Sequence, residues 1–325
     1  MKKIIVIGGA GYVGCELVTK LIKKNYFVTV YDLMIYGNNL PESKNLKIIK
    51  GDVRDLIKLK NSLKNQDVVI HLACISNDPS FELNPKLGQE INFDCFEPLV
   101  LAAKQNGVKH FIYASSSSVY GVKDTPMVTE DAKLEPLTDY SKFKVKCEEI
   151  LLSNTTNNFF GSIIRPATVC GYSSRQRLDL VVNILTNLAY HKKIIKIFGG
   201  SQLRPNIHIS DMVDSYVCLL ESEKSKIKNQ IFNVGFENHS VETLALMVQK
   251  NMSSEIELEY SKSEDNRSYH IDSQKISKIL NFKPKKNINE GIKDLIAAFN
   301  KKLFSDTLNN EEYFNIKKMQ KINLV

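Results

Sequence analysis

Three glycines spaced three apart, Gly8, Gly11 and Gly14, follow directly on the apolar run Ile4–Ile7 and lead into a segment with helical spacing. A strand that turns this tightly into a helix is a narrow requirement. Gly8 permits the turn, Gly11 leaves room for backbone to approach a bound group, and Gly14 lets the helix sit close on the sheet. Free N–H groups and the helix dipole make such a turn a seat for a pyrophosphate. Gly8, Gly11, Tyr12, Val13 and Gly14 are therefore the candidate contacts.

Short apolar runs alternate with helical patterns through the first half of the chain. Strands are predicted at Lys3–Ile7, Phe27–Tyr31, Leu46–Lys50, Val68–Leu72, His110–Ala114 and Gly161–Arg165, and helices at Gly14–Lys24, Leu56–Leu63, Pro98–Asn106 and Tyr140–Leu152. Strand and helix in alternation imply right-handed βαβ units on a parallel sheet. The expected fold is α/β, a Rossmann-like doubly wound parallel sheet with a smaller, interleaved C-terminal lobe. Beyond residue 170 the pattern loosens. A helix is expected at Leu178–Tyr190, a loop at Phe198–Pro205, strands at Ile207–Ile209 and Ile231–Val234, and helices at Asp211–Glu221, Ser240–Asn251 and Asn289–Lys302. The expected organisation is a dinucleotide domain over 1–170 to which 205–236 returns. A substrate lobe takes 171–204 and 237–303, and 304–325 forms a polar tail.

A carboxylate at the end of the second strand accepts hydrogen bonds from ribose hydroxyls and repels a 2′-phosphate. Asp32 stands there, which favours NAD over NADP. Asp52, after the third strand, is placed either to contact the adenine or to serve as a turn and N-cap.

Bulk properties remove other classes. The formal charge of +8 is spread along the whole chain without a dense basic stretch, so no nucleic-acid partner is expected. No segment reaches the ~18 apolar residues of a membrane span. The opening Met1-Lys2-Lys3 with its apolar run breaks into glycines, so it reads as a buried strand rather than a leader, and a cytoplasmic location is expected. Six cysteines without paired spacing suit a reducing compartment and packing roles, and no metal site is expected. Arginine is scarce, and most of it lies beyond residue 160. Because its planar fork grips phosphate by two bonds, phosphate recognition is expected in the second half.

Tyr140 and Lys144 stand at i and i+4 of a predicted helix, on one face. A phenol is too weakly acidic to act as a base near neutrality. A neighbouring ammonium and a cationic nicotinamide favour its phenolate, and Tyr140 can then take a hydroxyl proton as hydride leaves. Upstream, Ser115-Ser116-Ser117-Ser118 ends a strand whose C-terminal edge faces the crevice.

With these motifs in place the chain resembles the extended short-chain dehydrogenase/reductases, the group holding UDP-galactose 4-epimerase and the sugar-nucleotide 4,6-dehydratases. The likeness runs from Lys3 to about Lys302. It adds His71-Leu72-Ala73, Asn92, Val119-Tyr120-Gly121, the stretch Arg204 to Asp211 and Phe232-Asn-Val-Gly235. The resemblance implies Ser116 as the catalytic hydroxyl, with Ser117 one register away, beside Tyr140 and Lys144. It also implies Val53, Leu72, Ala73 and Asn92 as further cofactor contacts, and Arg204 and Arg267 on a substrate diphosphate. Ser117, Ser118, Thr168 and Asn183 join the substrate set. A homodimer through a four-helix interface is expected on the same ground.

The dehydratases carry Thr-Asp-Glu where this chain has Ser116, Ser117 and Ser118, and serine cannot supply that acid/base pair. What remains is oxidation at C4 of a nucleotide-diphosphate sugar, ending in epimerisation or, alternatively, in release of the ketone. The segment Arg175-Gln-Arg177-Leu-Asp-Leu resembles the GDP-heptose 4-dehydrogenases, so the arginines read either as phosphate or base contacts or as salt-bridge partners of Asp179. Ser76-Asn77-Asp78-Pro79 reads as sugar-pocket lining or as a turn. A sensor that binds NAD without catalysis is the remote alternative, opposed by the presence of both Tyr140 and Lys144.

Overall fold

In the computed structural model of the protein, residues 2–76, 78–123, 125, 127–262 and 268–322 are described. Seven strands form one sheet in the order β3-β2-β1-β4-β5-β6-β10. They are β1 (Lys3–Ile7), β2 (Phe27–Asp32), β3 (Leu46–Lys50), β4 (Val68–His71), β5 (His110–Ala114), β6 (Phe160–Pro166) and β10 (Gln230–Val234). Every pairing among them is parallel. Because the chain winds outward from β1 to β3 and then restarts at β4 on the other side, a crevice opens at the strands' C-terminal ends between β1 and β4.

β1 explains why this sheet must be central. Ile4, Ile5, Val6 and Ile7 are all fully buried. Successive side chains point to opposite faces. Ile4 and Val6 join Leu17 and Val18 of helix Tyr12–Lys23 in one apolar cluster. Ile5 and Ile7 join Leu99 of helix Phe96–Gln105 and Leu151 of helix Asp139–Ser153 in another. Burying each such side chain contributes about 1.5–3 kcal/mol.

The remaining strands build two small sheets. β7 (Thr168–Cys170), β9 (Leu203–His208) and β11 (Glu237–Ser240) run in the order β11-β9-β7, while β8 (Ile194–Phe198) pairs in parallel with β12 (Glu257–Ser261). The expected loop 198–205 thus gives way to strand from Leu203. β8 and β12 escape a sequence reading because they are short and largely exposed on one side. The expected polar tail is also structured, with helix Asn315–Ile322 burying Met319 in the cluster that holds Ile75 and Phe81.

A Cβ built on Gly14 would stand 2.5 Å from the Gly8 carbonyl oxygen and 2.7 Å from the Gly9 carbonyl carbon. Backbone cannot yield as a side-chain tip can. Gly14→Ala is therefore expected to lower stability by about 1–3 kcal/mol, read as a drop in the urea midpoint. An unchanged midpoint would contradict the close helix–sheet approach.

Candidate active site

The crevice encloses a cavity of about 370 Å³ at the C-terminal ends of the strands. Of the expected cofactor residues, Gly8, Gly11, Tyr12, Val13, Gly14, Asp32, Asp52, Val53, Leu72, Ala73, Tyr140 and Lys144 line it. Ser76, Ser116, Ser117, Ser118, Thr168 and Arg177 line it as well. Arg267 and Asn77 lie outside the described residues.

Gly8 has φ +84 and packs so tightly that a Cβ would fall 2.4 Å from the Ala73 nitrogen. Gly11 caps helix Tyr12–Lys23 without a side-chain bond, and no acidic residue occupies the first turn. The helix start therefore presents uncompensated N–H groups and partial positive charge, fitting a dinucleotide pyrophosphate. Asp32 is fixed by backbone, accepting from Ala10 N at 2.9 Å and Met34 N at 2.7 Å. Burial pushes its carboxyl above the usual carboxylate range, against the lowering effect of those two N–H groups. Removing it in Asp32→Ala is expected to weaken discrimination against NADP by roughly tenfold or more, the value of one charge-assisted bond. Competition of the two dinucleotides for the purified protein checks this. An unaltered preference would remove Asp32 from the ribose position.

Asp52 instead ties up with Arg54, at 2.8 Å, and also accepts from Arg54 N at 2.8 Å. The turn is thus made by Asp52, while Asp55 and not Asp52 caps the following helix Leu56–Ser62, and Asp52 still lines the cavity.

Tyr140 is the second residue of helix Asp139–Ser153, whose N-cap Thr138 accepts from Ser141 N. One turn on, the buried Lys144 donates from Nζ to the Ala114 carbonyl at 2.8 Å, 5.7 Å from the Tyr140 ring centroid. Burial pushes the Tyr140 phenol well above its ordinary value, with Cys74 and Asp78 adding to the rise and Arg177 opposing it. A cation beside the ring is what such a phenol needs to ionise.

Ser116 caps the short turn Ser117–Tyr120, accepting from Ser118 N at 3.1 Å. A line of hydroxyls follows. Ser116 Oγ lies 2.8 Å from Ser118 Oγ, which lies 2.8 Å from Ser141 Oγ, and Thr138 Oγ1 bonds Ser141 Oγ at 3.1 Å and also the Asp78 carboxylate. Beneath the serine turn sits a buried ion pair. Arg165 donates to Glu148 at 3.0 and 2.7 Å, and Ser115 Oγ donates to the same carboxylate.

Three expected contacts do not line the cavity. Asn92 spends its amide on the Ile75 backbone, accepting at 2.8 Å and donating at 3.0 Å, so it shapes the wall from behind. Asn183 is fully buried, accepting from Gly171 N and donating to the Tyr12 hydroxyl and the Arg177 carbonyl. Arg204 lies over the Tyr269 ring at 5.3 Å, and that tyrosine does line the cavity. Arg177 pairs with Asp179 at 2.5 Å, as one of its two expected readings has it, and also faces the cavity. Ser76 and Asp78 line the wall too, and Asp78 opens a short helix, Asp78–Glu82, rather than a turn.

Sequence reasoning missed Asn315 and Met319, which reach the cavity from the C-terminal helix. Their signal is the run of apolar residues Leu308, Tyr313, Phe314, Ile316 and Met319 spaced through a largely polar tail. Tyr36 and Tyr269 were missed as well, each standing in irregular chain without a motif.

Fold and cavity together define a dinucleotide-binding α/β protein with a Ser, Tyr and Lys gathered at one end of its crevice. Residues 4–235 match the NAD dependent epimerase/dehydratase family, and the chain belongs to that family. It is an enzyme family whose cofactor is NAD. The chain is 26% identical to the UDP-glucose 4-epimerase of Lactobacillus helveticus over 318 residues, covering 91% of this chain and 95% of that one. It is 28% identical to the human dTDP-D-glucose 4,6-dehydratase, covering 92% and 90%. Among solved structures, MoeE5 in complex with UDP-glucuronic acid and NAD superposes with a TM-score of 0.82 at 28% identity, covering 92% of this chain and 99% of that one.

Proposed function

We propose that this enzyme is a nucleotide-diphosphate-sugar 4-epimerase that oxidises the sugar at C4 and reduces the ketone from its other face. The observation that carries this reading is the reactive set itself. Tyr140, Lys144 and Ser116 share the cavity wall, while by resemblance to the dehydratases Ser117 and Ser118 stand where elimination chemistry needs carboxylates. Ser118 is further engaged with Ser116 and Ser141, so it is a hydrogen-bonding hydroxyl and not an acid.

NAD, when bound, supplies the hydride acceptor and donor, together with positive charge beside Tyr140. Tyr140 Oη takes the proton of the sugar hydroxyl and returns it to the ketone oxygen. Ser116 holds that oxygen, and the buried Lys144 ammonium favours the ionised phenol. The Gly8–Gly14 turn and Asp32 hold the cofactor, and Thr168, Ser76 and Ser118 belong to the sugar side of the pocket. Arg204, beside Tyr269, belongs with the substrate phosphates. The 4-epimerases among the relatives, including one for UDP-glucuronate, support the same choice.

A second reading, net 4-dehydrogenation, is favoured by one observation, the Arg175-Gln-Arg177-Leu-Asp-Leu segment in the cavity wall. Incubation with UDP-, GDP-, dTDP- and CDP-sugars plus NAD separates the two. A new epimer without net cofactor reduction is the expected outcome. Reduced cofactor accumulating with a keto-sugar selects the dehydrogenase instead, and a 4-keto-6-deoxy sugar would overturn both.

A homodimer and a cytoplasmic location belong to the same reading. Leu101, on helix Phe96–Gln105, is 38% exposed, as an interface residue would be in an isolated subunit. No helix among the described residues is long and apolar enough to cross a membrane.

A further inference from the structure

The segment from Ser173 to Leu180 lies against the helix that the glycine turn opens. Ser173 Oγ donates to the Tyr12 carbonyl at 2.8 Å, and Ser174 N donates to Glu16 at 2.9 Å. Just beyond these anchors two guanidinium groups are buried, Arg175 at 4% exposure and Arg177 at 8%. Both face the cavity.

Neither is fully satisfied. Arg175 lies 3.6 Å over the Tyr36 ring and donates from Nη2 to Asn315 at 2.8 Å, but its Nε is buried without a partner. Arg177 donates from Nε to Asp179 and from Nη1 to Ser76, while its Nη2 is buried without a partner. Leaving buried charged N–H groups unpaired is costly. Asp179 is the single carboxylate bonded to the pair among the described residues, and it also accepts from Asn315 N at 2.8 Å. The two guanidinium groups thus outnumber the carboxylate bonded to them, and two of their buried N–H groups have no partner. Arg175 sits close enough to Asp32, and Arg177 to Tyr140, for each cation to lower the acid's pKa. The pair lies alongside the helix that the glycine turn opens, with Arg175 over Tyr36 and Arg177 on Ser76, both residues of the cavity wall.

We infer that Arg175 and Arg177 complete a cradle for the cofactor's diphosphate, and that the C-terminal helix is part of the cofactor site because Asn315 positions both. One amide does this. Asn315 Oδ1 accepts from Arg175, and its Nδ2 donates at 3.0 Å to the Ser76 hydroxyl that accepts from Arg177. Met319, one turn later, adds apolar cover to the same wall. A paired guanidinium wall suits a diphosphate better than a single phosphate, because each planar fork can meet a separate phosphate group. The inference rests on NAD being the cofactor.

The test is displacement of NADH from the full chain by adenosine, AMP and ADP, read by nicotinamide fluorescence, with UDP binding measured by calorimetry. The wild type should prefer ADP strongly over adenosine. The double variant Arg175→Met/Arg177→Met should narrow that preference by about 10- to 100-fold, since each lost bond is charge-assisted, with adenosine and UDP affinities unchanged. Asn315→Ala and Arg175→Lys should narrow it less, in the same direction, and they serve if the double variant fails to fold. An ADP preference that survives in folded variants overturns the inference. A fall in UDP affinity with ADP unchanged moves the arginines to the substrate's diphosphate and also overturns it. If adenosine and ADP both fail to displace NADH from the wild type, the cofactor site itself is misplaced, and the inference falls with it.

Discussion

Tyr140→Phe is expected to lower turnover by about 10²–10⁴-fold, the usual contribution of a positioned acid/base group, while NAD stays bound. The substitution removes one oxygen and keeps the ring that lines the cavity. The fold has no stake in that oxygen, because Thr138 and Ser141 carry the start of the helix. The Lys144 ammonium is held by the Ala114 carbonyl, so it remains in place. What is lost is the only group among Ser116, Tyr140 and Lys144 able to accept a proton as phenolate and return it. Single-turnover assays on the epimerising substrate, with NADH titration of the same preparation, check both halves. Turnover within a few-fold of wild type would remove Tyr140 from the chemistry. Loss of NADH binding in step with turnover would make its role one of cofactor support.

Glu148→Leu is expected to cost about 3–5 kcal/mol, the penalty for stranding a buried charge. Arg165 and Glu148 side chains are 3% and 4% exposed and bond twice. The pair also organises its surroundings. Arg165 Nη1 donates to the Tyr120 hydroxyl at 2.8 Å, and that hydroxyl donates to Asn233 at 2.7 Å, linking β6, the serine turn and β10. Because Ser115 leans on the same carboxylate, disorder here reaches the turn that presents Ser116. Apolar replacement of both partners removes the stranded charge, so Arg165→Met/Glu148→Leu is expected to recover much of the loss. Urea midpoints of the single and double variants measure this. Equal losses in both would mean that the ion pair itself, rather than an unpaired charge, sets the cost.

The central sheet was legible because its evidence is periodic. Ile4–Ile7 and Val68–Ile70 are continuous apolar runs, as strands covered on both faces must be. The glycine turn, Asp32 and Tyr140/Lys144 were legible because each has a fixed spacing tied to one element. The small sheets were less so. β8 and β12 are half exposed, and β7 is three residues long, so none has a pattern to read. Side-chain roles are legible in another way. Asn92 and Asn183 are buried amides beside the cavity, and no sequence pattern shows that Asn92 bonds the Ile75 backbone or that Asn183 bonds the Gly171 and Arg177 backbone and the Tyr12 hydroxyl. The C-terminal helix was hidden by composition, since five of its eight residues are polar or charged and only a few side chains meet the core.

Hydride chemistry at C4 of a nucleotide sugar is tested most directly with a turned-over nucleotide sugar carrying deuterium at C4. The epimerised product is expected to keep its deuterium at C4, with slower turnover than the unlabelled sugar. Label recovered in the nicotinamide would select the dehydrogenase outcome within the same chemistry. Label lost to water, or found undisturbed with no effect on rate, would contradict it.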